Sequence, residues 1–323
     1  MFCYLHLLHV SYTTNNMYPE LYTFTFGDTS IPVMTFGLCL TLSFGLFYWM
    51  LWRLGRKYQI NTAFFTVNLL SFFLVTFFVS RLAHILLYLG LPTKSAFSPE
   101  FWFSSFFLMS DFYFSLGGAI LGFFGTFLFF FREREGADRD DALDITGIAW
   151  LFGAILAYLG AFLGGQTYGI RSESFFSVDY INNPILAEFP RFPLALVYFI
   201  CIIFIFSFTY IIKKLRPERG FAAGVGALLW GIMWFIGEWW NDASSDNFAY
   251  LFGFITDWKV FNFNQILSLF LMSWGAWRIA HIVPSPLSEW IVDIGERAID
   301  ISDDGVKIIQ TWLKKAKKSW KNR

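Results

Sequence analysis

Residues 157–169 read AYLGAFLGGQTYG. Glycines stand at 160, 164, 165 and 169, and apart from Gln166 and Thr167 the other residues are apolar or aromatic. The stretch closes an apolar run that begins near residue 142. That run is long enough to cross a bilayer, which takes about 20 predominantly apolar residues. A segment inside lipid must satisfy its own backbone hydrogen bonds, so a helix is expected. Small residues on such a helix let neighbouring backbones approach closely. The same glycine habit appears at Gly117, Gly118, Gly122 and Gly125, and again at Gly147 and Gly153. The reading is a bundle of closely packed membrane helices, with packing as the plain explanation for most of these glycines.

Composition agrees. Hydrophobic residues make up 56% of the 323, Phe alone supplies 43, and mean hydropathy is +0.51. Charged residues are 15%, where soluble domains carry about 25%. The net charge is zero, so no bulk electrostatic partner is implied. With no basic patch in a soluble domain, nucleic-acid binding has no support. Cys3, Cys39 and Cys201 are far apart, and the last two sit in apolar text. They are expected as small buried hydrophobes, with no disulfide framework. His6, His9, His84 and His281 are scattered, so neither a metal site nor a cofactor is expected.

Seven stretches qualify as spans, roughly 33–52, 64–90, 112–131, 142–163, 192–212, 220–240 and 263–283. No strand-like alternation is evident, and the expected fold class is an all-α integral membrane protein, a bundle of seven transmembrane helices. Cations in short loops set orientation. Arg53, Arg56 and Lys57 follow the first span; Arg132, Arg134 and Arg139 follow the third; Lys213, Lys214, Arg216 and Arg219 follow the fifth. The alternate loops hold only Lys94, Arg171, Arg191 and Lys259. The bias places the N-terminus outside and the C-terminus in the cytoplasm.

Three regions are expected. Residues 1–16 lack a charged n-region and a cleavage site, so they read as a short outer extension or as sequence preceding the true initiator, Met17. Residues 17–284 form the membrane domain. Residues 285–323 form a cytoplasmic tail with helically spaced Leu287, Trp290, Ile291, Ile294, Ala298 and Ile301, and a basic end from Lys314 to Arg323. Such a helix either lies on the anionic leaflet or stands solvated against a partner.

Several motifs recur in order. TSIPVMTFGLCLTLSFG opens the first span, SRLAHILLYLG lies in the second, and FSLGGAILG opens the third. AYLGAFLGGQTYG ends the fourth, LRPERGFAAGVGALLWGIMWFIGEWWND covers the sixth, and FNQILSLFLMSWGAW opens the seventh. This ordered set resembles the bacterial prolipoprotein diacylglyceryl transferases over Met17 to about Ile282. The fourth-span segment is similar to that family's GRxGNFxNGExxG, keeping Gly160, Phe162, Gly165 and Gly169. Gly117, Gly118 and Gly122 match its SxHGGxxG, and Gly220, Gly231, Phe235 and Glu238 match its sixth-span pattern. Gln265, Leu267, Ser268 and Gly275 match its GQxLSxxxxxxG, and Arg81 is kept in the second span. Five polar family positions differ. Two arginines fall on Tyr158 and Trp234, a third on Asn241, and the histidine on Leu116; the signature asparagine also falls on Ala161.

The resemblance implies a multi-pass protein of the bacterial cytoplasmic membrane. It would move a diacylglyceryl group from phosphatidylglycerol, or a related phospholipid, to the cysteine thiol of a lipobox-bearing precursor. Glycerol phosphate then leaves, and its gathering charge calls for Arg, Lys or metal. The thiol also needs a base. Tyr158 and Trp234 bring one donor each and no charge. The chain therefore reads as a degenerate, weakly active or inactive member; the alternative is a non-catalytic scaffold or regulator binding phospholipid or lipoprotein. A transporter is the weakest reading, since no inverted repeat is evident.

Glu238 and Tyr158 are the candidate catalytic residues, Glu238 as acceptor of the thiol proton. Arg81, His84, Gly117, Gly118, Gly160, Gly165, Gly169, Arg171 and Gln265 are candidate substrate contacts. Each has a plain structural alternative: Arg81 an interfacial anchor, His84 a packing residue, Arg171 a solvated loop charge, Gln265 interhelical polar glue. For Glu238, costly inside a span, the alternative is a helix–helix acceptor for Tyr158 or Gln166.

Overall fold

The protein, seen in a computed structural model, is described over residues 20–26, 29–88, 115–131, 136–180, 189–242 and 262–283. The expected extension 1–16, Lys94 and the tail 285–323 lie outside these residues. Among the described residues the order is β1 (Glu20–Phe26), β2 (Thr29–Met34), α1 (Thr35–Tyr58), α2 (Ala63–Val67), α3 (Leu69–Tyr88), α4 (Leu116–Phe131), α5 (Gly136–Leu163), α6 (Leu194–Leu215), α7 (Phe221–Gly237) and α8 (Phe263–Ile282). A 3₁₀ turn, Glu238–Trp240, closes α7.

The structure is mostly helical, and among the described residues five helices are long and apolar enough to cross a membrane: α1, α3, α5, α6 and α7 with its closing turn. α4 is apolar but has only 16 residues. Several expected boundaries are corrected. The stretch 64–90 is broken at Asn68, whose amide donates to the Phe64 carbonyl at 3.0 Å between α2 and α3. α1 runs on to Tyr58, so Arg53, Arg56 and Lys57 belong to its last turns, not to a loop. α6 likewise carries Lys213 and Lys214. An unexpected antiparallel hairpin precedes α1, pairing Thr23 with Pro32 and Thr25 with Ser30. Its alternating TFTF was readable, but the apolar runs around it masked a period of two.

Lipid supplies no hydrophobic drive between helices, so contact quality holds the bundle together. One core is phenylalanine-rich and joins α1, α2, α3, α4 and α5 through Phe47, Phe65, Phe72, Phe123, Phe127 and Phe131. Phe47 meets Phe123 edge-on at 5.6 Å and 87°. Such pairs add about 0.5–1.5 kcal/mol each beyond area burial. The second core joins α5, α6, α7 and α8 around Tyr158, Tyr198, Trp230, Trp234 and Leu267.

Of the five span-length helices α7 is the most buried, and it packs on α5, α6 and α8. An ionic knot fixes one of its ends. Asp144 of α5, fully buried, accepts from the backbone N–H of Gly220 (2.9 Å) and Ala223 (2.7 Å). Lys213 of α6 pairs with the same carboxylate at 2.7 Å. Arg278 of α8 meets Asp140 at 2.8 Å, and Arg219 meets Asp141 at 3.1 Å. A carboxylate from a neighbouring helix thus serves as the N-terminal cap of α7, where orphan N–H groups and the helix dipole favour negative charge.

Candidate functional site

The other end of α7 holds the candidate site. The Tyr198 ring occupies the space where a Cβ on Gly237 would lie, and α7 gives way there to the 3₁₀ turn. Glu238 therefore sits at the mouth of its helix and not mid-span, yet it is only 5% exposed. Its carboxylate accepts four side-chain hydrogen bonds. Oε1 takes the Trp234 indole N–H (3.1 Å) and the Asn264 amide (3.1 Å). Oε2 takes the amides of Asn262 (2.9 Å) and Asn241 (3.2 Å). An ionised carboxylate offers about four lone-pair positions, and here each faces a neutral donor. Among the described residues Glu238 makes no ion pair. The expected partners Tyr158 and Gln166 are not among its donors.

α8 presents two of those donors through its own start. Asn262 is the N-cap: its side-chain oxygen accepts from the Gln265 N–H at 2.7 Å, and the Gln265 side chain accepts from the Asn262 N–H at 3.0 Å. This capping box commits the oxygen of Gln265, an expected substrate contact, to holding the helix end. The box also fixes the Asn262 amide toward Glu238.

Beside the carboxylate lies an aromatic cluster. Tyr158 meets Tyr198 at 5.2 Å, and Trp230 stacks on Trp234 at 6.4 Å and 22°. The hydroxyls of Tyr158 and Tyr198 are buried with no acceptor for their protons among the described residues, and the Trp230 indole N–H is directed to the Tyr158 hydroxyl. Buried donors normally find acceptors. Two open hydroxyl donors in one cluster suit an oxygen-rich ligand or ordered water.

The signature glycines act through the backbone. Gly165 adopts φ +64°, and the bonds Gly165 N–H to Phe162 O (3.1 Å) and Gln166 N–H to Ala161 O (2.8 Å) form the double cap that ends α5. The chain then returns to the site. Gly169 donates to the Phe192 carbonyl at 2.8 Å and Ile170 to the Trp240 carbonyl at 2.8 Å, so Gly169 bridges to Asn241. A Cβ on Gly169 would meet those two carbonyl oxygens at 2.9 and 2.7 Å. Gly160 lies where α5 crosses Cys39 of α1, Gly117 lies against Phe263 of α8, and Gly118 lies against Ser80 and Ala83 of α3. These three are helix-packing positions.

In the connecting loop, exposed Arg171 faces Arg191 across an antiparallel bridge and lies 3.5 Å over the Phe189 ring. Arg191 pairs with Asp242, next to Asn241, and covers the Tyr168 ring at 5.0 Å. Burial pushes the neighbouring Tyr180 hydroxyl up to about 12, against the pull of Arg191. Arg81, 5% exposed, and half-buried His84 sit on α3, whose described packing partners are α2 and α4. Leu116, the first residue of α4, is exposed.

The structure thus gathers Glu238, Tyr158, Gly169, Gln265 and Asn241 at one end of α5, α7 and α8. It adds Tyr198, Trp230, Asn262 and Asn264, which sequence reading missed. Only Asn262 carried a local signal, an Asn three residues before a Gln. A family model described as prolipoprotein diacylglyceryl transferase matches residues 23–281. No curated protein matches the chain.

Proposed function

The chain belongs to the prolipoprotein diacylglyceryl transferase family, and from that premise we propose that it is a degenerate member, weakly active or inactive, that still engages the family's phospholipid donor and lipobox precursor. It would cross the bacterial inner membrane seven times, with its N-terminus outside. In the family reaction the precursor's thiolate sulfur forms a bond to the glyceryl carbon, the bond from that carbon to the phosphate oxygen breaks, and glycerol phosphate departs. The thiol proton passes to a base.

One observation carries the reading: Glu238 is ringed by four neutral donors, two of them Trp234 and Asn241 at the resemblance's arginine positions. With its lone pairs filled, the carboxylate has no free position for a thiol proton until a donor moves. With no cation paired to it, the site offers little to a departing phosphate; one missing charged contact costs about 3–4 kcal/mol. Arg171, in the loop tied beside Asn241, is the candidate compensating cation.

A second reading is favoured by the open hydroxyls of Tyr158 and Tyr198. They suit binding of a phospholipid headgroup without turnover, as in a scaffold or regulator. The test is transfer by purified protein in phosphatidylglycerol nanodiscs to a lipobox peptide. Product bearing a thioether-linked diacylglyceryl group, lost in Glu238→Gln, sinks the inactive reading. Absence of product with retained phosphatidylglycerol binding supports the scaffold.

A further inference from the structure

α1 ends in a second feature that the transfer reading does not use. Its 24 residues span about 36 Å, more than the ~30 Å hydrocarbon core, so its last turns reach the headgroup layer. The charge bias assigns this end to the cytoplasmic side. Gln59 turns the chain at φ 57°, Ile60 donates back to the Gly55 carbonyl at 2.9 Å, and the Asn61 side chain accepts from the Ala63 N–H at 2.9 Å to open α2. The elbow encloses an open groove of about 540 Å³, lined by Tyr48, Trp52, Arg56, Asn61, Thr62 and Thr66 among others.

The cations at this end of the molecule divide into two groups. Lys213, Arg219 and Arg278 are paired with Asp140, Asp141 and Asp144. Arg53, Arg56 and Lys57 pair with no carboxylate among the described residues. They lie over rings instead: Arg53 over Trp49 (5.2 Å), Arg56 over Trp52 (4.7 Å) and Lys57 over Tyr58 (5.0 Å). A ring face steadies a cation without neutralising it. Among the described residues Lys214 likewise has only a ring, that of Tyr210 at 4.6 Å, so unneutralised positive charge lies at the elbow and at the adjoining end of α6. Trp49 and Trp52, 44% and 48% exposed, sit where aromatic belts meet the interface.

We propose that this groove holds the headgroup of an anionic glycerophospholipid of the cytoplasmic leaflet. Arg56 faces the phosphate, the Asn61 amide and Thr62 hydroxyl face the headgroup polar atoms, and one acyl chain lies along Trp52. The groove combines uncompensated charge, open amide donors and an aromatic wall at headgroup depth. The proposal needs α1 to cross a bilayer with this end on the cytoplasmic side, and it is read without a transfer assay, so its failure is separable from failure of the function proposed above.

The experiment is native mass spectrometry of the full chain, titrated with phosphatidylglycerol, phosphatidylcholine or soluble glycerol phosphate. Wild type is expected to retain one more phosphatidylglycerol than Arg56→Gln/Asn61→Ala, with Arg56→Gln alone weakening that step about fivefold or more. Phosphatidylcholine should not fill the step, and glycerol phosphate should not compete. Arg53→Gln, which removes a charge outside the groove, should weaken it less. Equal losses from Arg53→Gln and Arg56→Gln, equal filling by phosphatidylcholine, displacement by glycerol phosphate, or an unchanged lipid count in the double variant would each overturn the site. Unfolding temperatures near wild type certify that the variants are folded.

Discussion

Trp234 donates its indole N–H to Glu238 at 3.1 Å from four residues earlier on α7. Where the resemblance places a guanidinium, the chain has a neutral donor stacked on Trp230 and 2% exposed. The carboxylate is held, but no positive charge is brought to it.

Restoring that charge should restore chemistry. Trp234→Arg puts a cation beside Glu238, and transfer to a lipobox peptide is expected to rise about 10²-fold over wild type. Replacing the buried indole should cost about 1–3 kcal/mol of stability. A folded variant yielding no more product than wild type would show that the missing arginine is not the limiting loss.

Glu238→Gln should destabilise the protein whether or not it is an enzyme. The new amide NH₂ faces donors from Trp234, Asn241, Asn262 and Asn264 and leaves at least one without an acceptor. A buried unsatisfied donor costs about 1–3 kcal/mol. Unfolding in detergent, followed by tryptophan fluorescence, measures it; an unchanged midpoint would contradict the saturated carboxylate.

The ionic knot should be strongly coupled. Asp144→Ala removes the cap of α7 and leaves buried Lys213 with only Asp141, at 3.5 Å. Breaking a buried pair costs about 3–5 kcal/mol. Adding Lys213→Met should recover part of that loss. Strict additivity in a double-mutant cycle would refute the coupling.

Two signature glycines should separate by mechanism. Gly165→Ala must hold a left-handed backbone, at about 1–2 kcal/mol. Gly169→Ala drives a methyl into the carbonyls of Trp240 and Phe192 and must displace the loop from Asn241. Hydrogen exchange at Ile170 should therefore rise in Gly169→Ala and stay near wild type in Gly165→Ala.

Tyr180 sets an alkaline limit for the loop. Its folded-state value of about 12 exceeds the ordinary 10.0 because the hydroxyl is buried. The folded state keeps its proton where the unfolded state has lost it, so this contribution is full below pH 10 and is lost as pH rises through 12. It amounts to about 2–3 kcal/mol. Tyr180→Phe should flatten the decline in stability between pH 10 and 12; an identical decline would exclude Tyr180 as its source.

Much of this protein was legible in its residues. Apolar runs of span length can only be helices in lipid, and the ordered glycine motifs carried the family, because glycine spacing records where backbones touch. Glu238 stood out as an acid in apolar text. What surrounds Glu238 was not legible, because its donors come from α7, the turn after it and the start of α8, and no period links residues 234, 241, 262 and 264. The cap of α7 by Asp144 joins positions 76 and 79 residues apart. The division of the cations also depended on the fold: sequence lists Arg56 and Lys213 alike as loop charges, while packing pairs Lys213 with Asp144 and leaves Arg56 over Trp52. Local backbone physics is written in neighbouring residues; charge compensation and hydrogen-bond saturation are decided only when distant helices meet.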